Sequence, residues 1–319
     1  MEYRKLGSSD LSVSRIGFGC WAIGGHGYGR SNDRDSLNTI RQALDAGINF
    51  FDTADVYGFG HSEEILSKGL GPARNEVVIA TKFGVTWDDS GRTYYDCSPQ
   101  RLEKAIEGSL RRLKVDCIPL YQIHWYDNVT PLHSTLALLL RYQEQGKIKH
   151  IGCSNFSLSL LVDVSKEFRF ETVQYPYNLA DRSMSKTMET CAQTYGMSVI
   201  TYDVLARGLF SGKHSIQHTF GRGDTRNKDG RFHGEQLTAY LRFVDRMRQT
   251  GKRYEKSPAQ VAIRWVLQNE SICASLVGMT NREQVTENVG AIGWALSADD
   301  HQDLSLHAGQ LNTEALRHA

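Results

Sequence analysis

The chain has 319 residues, of which 40% are hydrophobic and 23% charged, and 37 Lys and Arg residues stand against 36 Asp and Glu residues. This composition predicts a folded protein with a large core and excludes long disordered stretches. A net charge of +1 excludes a general polyanion binder, whose phosphate contacts need a basic excess, so we expect no nucleic-acid partner.

The sequence carries no pattern typical of a membrane protein, an exported protein or a metal site. No stretch supplies the roughly 20 apolar residues that a membrane span needs. The segment from Met1 to Asp10 holds charges and no apolar run, unlike a secretory signal. The six cysteines include no C-x-x-C pair, which disfavours a zinc site and a disulfide framework. We therefore expect a cytoplasmic protein with no membrane partner and no metal.

In chain order, the hydrophobic pattern predicts a short hairpin followed by alternating strands and helices. Tyr3–Leu6 and Leu11–Val13 flank a Gly-Ser-Ser-Asp turn and are predicted to pair. Eight apolar runs of strand length follow: Ile16–Gly19, Phe50–Asp52, Val77–Lys82, Ile118–His124, His150–Ser154, Glu171–Gln174, Ser198–Tyr202 and Cys273–Val277. Helical spacing occurs between them, with Ser-Pro starts at Ser98 and Ser257.

This alternation predicts parallel βαβ units, which can close as a (β/α)8 barrel or form an open doubly wound sheet. An open dinucleotide-binding sheet would carry G-x-G-x-x-G after its first strand, whereas Cys-Trp-Ala follows Gly19 here. The segment from Gly208 to Lys213 is one residue too short for a P-loop. We therefore predict a single α/β barrel domain over residues 1–319.

An extended loop is predicted after strand seven, from about Gly208 to Glu235, rich in Gly, Asp, Arg, Lys and His. A loop of this length inside a compact barrel is more often a lid or binding loop than an irregular connection. We expect it to act as a lid.

Barrel enzymes carry their chemistry at the C-terminal ends of the strands, where this chain has Asp52, Tyr57, Lys82 and His124. A tyrosine phenol, with an ordinary pKa of ~10, needs a nearby cation to stabilise its phenolate, and Lys82 would supply that cation. Asp52 would hold Lys82 charged, and His124 would hydrogen-bond a substrate carbonyl oxygen. Each residue alone has a structural explanation, but together they suit protonation of an alkoxide formed by hydride attack on a carbonyl.

Several motifs occur in order along nearly the whole chain. They are Phe51-Asp52-Thr53-Ala54 with Tyr57-Gly58, Ala80-Thr81-Lys82, Ile123-His124, Gly152-Cys153-Ser154-Asn155, Val173-Gln174, Leu205-Ala206-Arg207-Gly208 and Glu287-Asn288. In these motifs the chain resembles the aldo-keto reductase superfamily, in particular its bacterial and potassium-channel-β-like branch. The resemblance implies a (β/α)8 barrel that reduces an aldehyde, ketone or sugar carbonyl, with the hydride from a nicotinamide and the proton from Tyr57.

The resemblance also implies a coenzyme site built without a Rossmann domain. Ser154, Asn155 and Gln174 would hold the nicotinamide carboxamide, and the ring would stack on Tyr202. The other implied coenzyme contacts are Gly19, Cys20, Trp21, Asp52, Leu205, Gly208, Lys213, Gly278, Thr280, Arg282, Gln284, Glu287 and Asn288.

The sequence departs from the family at two positions that bear on the coenzyme. Asp203 lies near the expected pyrophosphate path and would repel phosphate unless it turns away or pairs with Arg207 or Lys213. Asn281 stands where many relatives carry a basic residue for the 2′-phosphate, although Arg282 is adjacent. We predict a preference for NADP(H) over NAD(H).

Aromatic residues on the loops after strands one to four are candidates for the wall of a substrate pocket. We predict substrate contacts from Trp21, Tyr28, Trp87 and Trp125. Further candidates are His26, Phe59, Phe83 and Tyr126, and roughly half of the eight are expected to be ordinary packing residues.

Other functions remain open from the sequence alone. The barrel could be an NADP(H)-binding regulatory or redox-sensing protein with slow turnover, or a sugar dehydrogenase working in the oxidative direction. A magnesium-dependent barrel enzyme ranks last, because carboxylates do not cluster at successive strand ends. No heptad or extended apolar surface pattern indicates an oligomer, so we expect a monomer.

Overall fold

The structure, a computed structural model, describes residues 1–29 and 31–317. The strands are β1 (Tyr3–Lys5), β2 (Ser12–Ser14), β3 (Ile16–Gly19), β4 (Phe50–Asp52), β5 (Val78–Phe83), β6 (Val85–Trp87), β7 (Thr93–Tyr95), β8 (Ile118–Ile123), β9 (Ile148–Ser154), β10 (Thr172–Pro176), β11 (Ser198–Tyr202) and β12 (Ile272–Gly278). The α-helices are α1 (Asp33–Asp45), α2 (His61–Leu70), α3 (Pro99–Leu113), α4 (Leu132–Glu144), α5 (Leu158–Val164), α6 (Ser185–Gln193), α7 (Gly234–Lys252), α8 (Pro258–Leu267), α9 (Arg282–Val289) and α10 (Ala298–Arg317).

Eight of these strands close into a parallel barrel, as the alternation of strands and helices predicts. Around the barrel the order is β3, β4, β5, β8, β9, β10, β11 and β12, and β12 pairs back with β3. The fold is therefore a (β/α)8 barrel, whose C-terminal strand ends all open on one face.

The strand bounds differ from the prediction by one or two residues. Val77 precedes β5, which continues to Phe83, and β8 ends at Ile123 rather than at His124. β9 begins at Ile148, two residues earlier than predicted. The His124 N–H still donates to the Phe83 carbonyl at 2.7 Å, so His124 remains tied to the neighbouring strand. Apolar patterns mark the middle of a strand, whereas hydrogen bonds to neighbours set its ends.

The N-terminal hairpin closes the floor of the barrel. Strands β1 and β2 pair antiparallel, close to the predicted positions. Leu6 and Val13 are fully buried in a cluster with inward-facing residues of the barrel strands, among them Phe50 and Val78. Arg15, directly before β3, donates to the carbonyls of Ile272 and Cys273 and ties this floor to β12.

Two features of the loops on the C-terminal face were not apparent from the sequence. Strands β6 and β7 form a second antiparallel hairpin immediately after β5. The long loop after β11 contains three 3-10 helices, Ala206–Ser211, Thr225–Lys228 and Gly230–Phe232. Its Thr225 donates from both N–H and hydroxyl to the Gly27 carbonyl, at 3.0 and 2.8 Å. The loop therefore reaches across to the segment that follows β3.

Among the described residues, no helix combines the length and the apolar character that crossing a membrane would require.

Replacing the floor residue Leu6 with Ala should destabilise the barrel. Leu6 is fully buried, so truncation leaves a cavity, and we expect the free energy of unfolding to fall by about 2–5 kcal/mol. Urea denaturation measures this loss. The matched control is Leu306→Ala, because Leu306 is 63% exposed. Equal stabilities of the two variants would contradict the role of Leu6 in the floor.

Candidate active site

Three polar side chains point into the barrel from neighbouring strands. Side chains alternate along a strand, so Asp52 shares the inward face of β4 with Phe50, and Lys82 shares that of β5 with Ala80. In the strand register Asp52 lies opposite Ala80, and Lys82 lies opposite Gln122 of β8. The barrel thus places a carboxylate, an ammonium and an amide side by side.

Lys82 and Asp52 form a buried ion pair that hydrogen bonds complete. Lys82 is fully buried, and its Nζ donates to Asp52 Oδ1 and, at 2.9 Å, to the Thr53 carbonyl. The other carboxylate oxygen of Asp52 accepts from Gln174 Nε2 at 2.9 Å and Gln122 Nε2 at 3.3 Å. A buried ion pair is tolerated when such bonds satisfy its remaining polar atoms.

Gln122 is a site residue that the sequence analysis missed. It lies on β8, two residues before His124, which directly follows the strand, and the period of two along a strand places both on the inward side. This spacing could have identified Gln122 from the sequence. A polar side chain that faces inward from a buried strand needs a hydrogen-bond partner inside the barrel.

Tyr57 reaches this pair from the loop between β4 and α2. Its Oη lies 3.5 Å from Lys82 Nζ, which is 5.1 Å from the centre of the Tyr57 ring. Burial, followed by the Asp52 carboxylate, raises the pKa of Tyr57 well above its ordinary value. Lys82, which is predicted to stabilise the phenolate, shares its charge with Asp52, and burial has the largest effect on the phenol. Tyr57 therefore holds its proton at neutral pH.

His124 completes the group of four predicted catalytic residues. Its ring meets the Tyr57 ring edge-on, with 5.7 Å between the ring centres. Burial, and then the nearby charge of Lys82, lower the pKa of His124 well below its ordinary value, so the imidazole is neutral. Its Nδ1 is buried and has no hydrogen-bond partner among the described residues. A neutral imidazole carries one N–H, which it can donate to an oxygen brought into the site.

The predicted nicotinamide contacts lie beside His124 and bond to one another. Asn155 Nδ2 donates to the His124 carbonyl at 3.1 Å, and its Oδ1 accepts from Tyr202 Oη at 2.8 Å. Ser154 Oγ donates to the Gln174 carbonyl at 3.0 Å. Asn155 has a left-handed φ of +62°, an uncommon conformation that clusters at functional sites. All four residues therefore lie beside the four candidate catalytic residues.

Comparison with known proteins relates this arrangement to a family. Residues 15–308 match the model of the Aldo/keto reductase family. The chain belongs to this family. It is 35% identical to aldo-keto reductase YhdN of Bacillus subtilis (strain 168), over 96% of this chain and 93% of YhdN.

Two further similarities span the chain equally well. The NADH-specific methylglyoxal reductase of Escherichia coli (strain K12) is 31% identical, over 94% of this chain and 96% of that protein. The glycerol dehydrogenase structure from Gluconobacter oxydans matches with a TM-score of 0.88 and 35% identity, over 97% of this chain and 95% of that one. This aldo-keto reductase is accordingly an NAD(P)-dependent oxidoreductase.

In this aldo-keto reductase, Asp203 is countered by positive groups. Asp203 Oδ1 accepts from the Arg207 N–H at 2.7 Å, and Arg231 lies 3.6 Å from Oδ2. Arg231 and Arg207 also share Asp229, at 2.7 and 3.3 Å. The expected pairing with Arg207 occurs through the backbone, and pairing with Lys213 does not occur. Arg231 was not foreseen, because it is 28 positions from Asp203 along the chain.

The other predicted coenzyme residues lie on the same face of the barrel, near the ends of β3, β11 and β12. Gly19 of β3 pairs with Gly278 of β12, and Cys20 donates its N–H to the Asp52 carbonyl at 2.9 Å. Leu205 and Gly208 lie on the loop after β11, where Gly208 has a left-handed φ of +97°.

The predicted coenzyme residues around α9 pair with one another. Lys213 pairs with Glu287 at 2.9 Å, so part of its charge is neutralised. Asn281 caps α9 by accepting from the Gln284 N–H at 2.9 Å, and Gln284 in turn accepts from the Thr280 N–H at 2.7 Å. Asn288 is buried within α9.

Arg282, the first residue of α9, is exposed, and its guanidinium donates to Gln42 of α1 at 3.2 Å. It has no carboxylate partner among the described residues.

Five of the aromatic candidates form two contact groups on this face, one of which includes Tyr57. Trp21 stacks on Tyr57 at 6.2 Å between ring centres and meets Tyr28 edge-on at 4.9 Å. Trp87 contacts Phe59 at 5.3 Å, and Phe59 contacts His26 at 4.9 Å.

Two of the further candidates, Phe83 and Tyr126, are packing residues, in line with the expectation that some of the eight would be. Phe83 is fully buried and stacks on Tyr121, because it occupies the outward face of β5. Tyr126 packs on Phe156. Trp125 differs from both, since it is 37% exposed and stacks on Tyr95 of the unforeseen hairpin.

No group of three or more His, Cys, Asp or Glu side chains among the described residues is arranged to hold a metal ion.

The loop that carries Tyr57 is pressed against the 3-10 helix Ala22–Gly24. Gly58 has a φ of +61°, and a Cβ added there would lie 1.9 Å from the Gly24 carbonyl oxygen. Only glycine allows this approach, so Gly58 holds Tyr57 in place.

Replacing Gly58 with Ala should displace Tyr57 and slow the oxidoreductase reaction. A misplaced catalytic group can cost roughly 100-fold in rate, and we expect kcat to fall by about that factor. Gly71→Ala is the matched control: Gly71 also has a positive φ, +55°, but its Cβ would meet nothing within 4 Å. Both variants are compared by coenzyme absorbance assays and by melting temperature. Equal kcat values for the two would refute the role of the close approach.

Proposed function

We propose that this aldo-keto reductase reduces the carbonyl of an aldehyde, ketone or sugar, with NADP(H) as coenzyme and Tyr57 as proton donor. The observation that carries the proposal is the 3.5 Å approach of the protonated Tyr57 Oη to Lys82 Nζ, beside a neutral His124. When bound, the nicotinamide supplies the hydride.

In this proposal each catalytic side chain has one task. His124 donates its N–H to the carbonyl oxygen and orients it. Tyr57 gives its proton to the developing alkoxide, and Lys82 stabilises the phenolate that remains. Asp52 holds Lys82 charged, and the amides of Gln122 and Gln174 hold Asp52 in position.

The residues around the coenzyme path fit a dinucleotide. Ser154, Asn155, Gln174 and Tyr202 offer amide and hydroxyl groups for the carboxamide end. Neutralisation of Asp203 by Arg231 removes the repulsion that phosphate would otherwise meet. At the other end, the N-terminus of α9 and Lys213 offer positive partial and full charges.

The proposed preference for NADP(H) rests on Arg282. It is exposed beside the N-terminus of α9, and its guanidinium has one hydrogen-bond partner among the described residues, the neutral side chain of Gln42. A guanidinium in this state can bind a 2′-phosphate through two parallel hydrogen bonds. The E. coli relative is NADH-specific by name, so the family does not decide the coenzyme and Arg282 carries the argument.

The substrate class follows from the wall and from the relatives' names. Trp21, Tyr28, Trp87 and Trp125 form a proposed aromatic wall that can bury small carbonyl compounds as well as rings. Methylglyoxal and glycerol, named for two relatives, are small and polar. The name of the Gluconobacter protein also favours a second candidate, a dehydrogenase oxidising a polyol or sugar in the reverse direction.

We further propose that the chain acts as a monomer in the cytoplasm, as one domain over residues 1–319, on a small molecule rather than a nucleic acid. The packing of Leu6 and Val13 into the barrel floor supports the single domain.

Replacing Tyr57 with Phe should abolish carbonyl reduction and leave NADPH binding nearly unchanged. The ring stays in place while the proton donor is lost, and general acid catalysis contributes about 10²–10⁴-fold to a rate. NADPH oxidation is followed with methylglyoxal, glyceraldehyde and an aryl aldehyde, and NADPH binding is followed by fluorescence. Turnover comparable to the parent enzyme would rule out Tyr57 as the donor. A parent enzyme that binds NADPH tightly and turns over none of these substrates would favour the regulatory alternative.

Replacing Arg282 with Ala should weaken NADPH binding and leave NADH binding unchanged. Loss of a charge-assisted bidentate contact of about 1.5–3 kcal/mol corresponds to a roughly 10- to 100-fold higher Kd. The control is Arg41→Ala, because Arg41 is an exposed arginine of α1, next to Gln42. Equal losses for the two coenzymes, or tighter binding of NADH by the parent enzyme, would overturn the preference.

A further inference from the structure

A second buried ion pair lies directly behind the proton donor, apart from the four catalytic residues. Asp55, two residues before Tyr57 on the same loop, pairs with Arg101 in the first turn of α3. Their side chains are only 1% and 12% exposed. Asp55 Oδ1 and Arg101 Nε are buried without a hydrogen-bond partner among the described residues, so each charge depends on the other.

Arg101 also touches the proposed substrate wall. Its guanidinium lies 5.4 Å from the centre of the Trp87 ring, a cation–π distance. Trp87 in turn contacts Phe59, which follows Tyr57 by two residues. One guanidinium therefore contacts the donor loop on one side and the hairpin of β6 and β7 on the other.

The geometry points to Arg101 as a positioning residue, which sets Tyr57 through Asp55 and sets the substrate wall through Trp87. This inference rests on the proposed carbonyl reductase function and adds to it a residue that touches neither the coenzyme nor the reacting atoms. Helix α3, which carries Arg101, thereby holds Tyr57 and the proposed substrate wall in fixed positions relative to each other.

The electrostatics of Asp55 give this arrangement a pH dependence. Burial raises the pKa of Asp55 from its ordinary range to about 7, against the opposing effect of Arg101. The other charged groups that act on Asp55 are Glu63 of α2, which raises this pKa, and Arg112 of α3, which lowers it. Tyr121 of β8 faces the same cluster and keeps its proton, because burial raises its pKa.

The sign of the effect follows from the raised pKa. The ion pair is present above about pH 7 and is lost as the pH falls and Asp55 takes up a proton. Carbonyl reduction by the parent enzyme should therefore decline between pH 8 and pH 6, while the donor loop loosens.

The test compares Arg101→Met with Arg111→Met, the same substitution at an exposed position of the same helix. For R101M we expect faster amide hydrogen exchange in residues 53–60 and 85–95, and a kcat lower by up to about 100-fold. We also expect KM for an aryl aldehyde to rise by about two- to five-fold relative to methylglyoxal, since a cation–π contact to the wall is lost. R111M should match the parent enzyme in all three measurements.

Two further variants keep the inference open to refutation if R101M does not fold. Asp55→Asn removes the titrating group but keeps its shape, so its kcat should be low and constant between pH 6 and pH 8. Arg101→Lys keeps the charge and should recover part of the rate. An Asp55→Asn enzyme with the acid decline of the parent, or exchange in residues 53–60 that no variant alters, would overturn the inference.

Amide hydrogen exchange can be measured in an enzyme that does not turn over. Its result therefore distinguishes failure of the positioning role from failure of the proposed function. Loosening of residues 53–60 in an enzyme that reduces no carbonyl would refute the proposed function alone. Unchanged exchange, with kcat equal to that of an active parent enzyme, would refute the positioning role alone.

Discussion

Lys82 carries its charge inside the barrel with no exposure to solvent, and the arrangement of the neighbouring polar side chains depends on this buried charge. An ammonium in such a place is tolerated only with a close counter-ion, which is Asp52 on the neighbouring strand. Asp52 in turn needs partners for its second oxygen, and the amides of Gln122 and Gln174 provide them. The ion pair thus depends on hydrogen bonds from β8 and β10. The buried charge of Lys82 therefore fixes the positions of side chains on four strands.

The same pair sets the protonation states of its neighbours. The charge of Lys82 adds to burial in keeping His124 neutral, and the charge of Asp52 adds to burial in keeping Tyr57 protonated. These are the states that a hydrogen-bond donor and a proton donor need. Behind them, Arg101 holds the donor loop through Asp55 by the same principle of a buried carboxylate satisfied by a cation.

Charge compensation recurs at the proposed coenzyme end of the barrel. Asp203 would oppose a phosphate if it stood alone, but Arg231 and the Arg207 N–H compensate it. Arg231 comes from the loop after β11, the same loop whose Thr225 bonds to the segment after β3. The long loop therefore does more than connect two elements, because its Arg231 neutralises Asp203 and its Thr225 bonds to Gly27 after β3.

The amino-acid sequence alone predicted the alternation of the eight barrel strands with helices, the barrel itself, and four polar residues at or just after strand ends that the fold brings together. These features depend on spacing within a few residues, where alternation along a strand and helical periodicity act. The contacts between distant residues came only from the three-dimensional fold: Gln122 and Gln174 at Asp52, Arg231 at Asp203, and Arg101 at Asp55. It also decided that Phe83 packs outward against Tyr121, although its position in the chain suggested the pocket. The physical reason is that these partners are separated by 28 to 122 positions, and only the register of the closed sheet and the course of its loops brings them within hydrogen-bonding or ion-pairing distance.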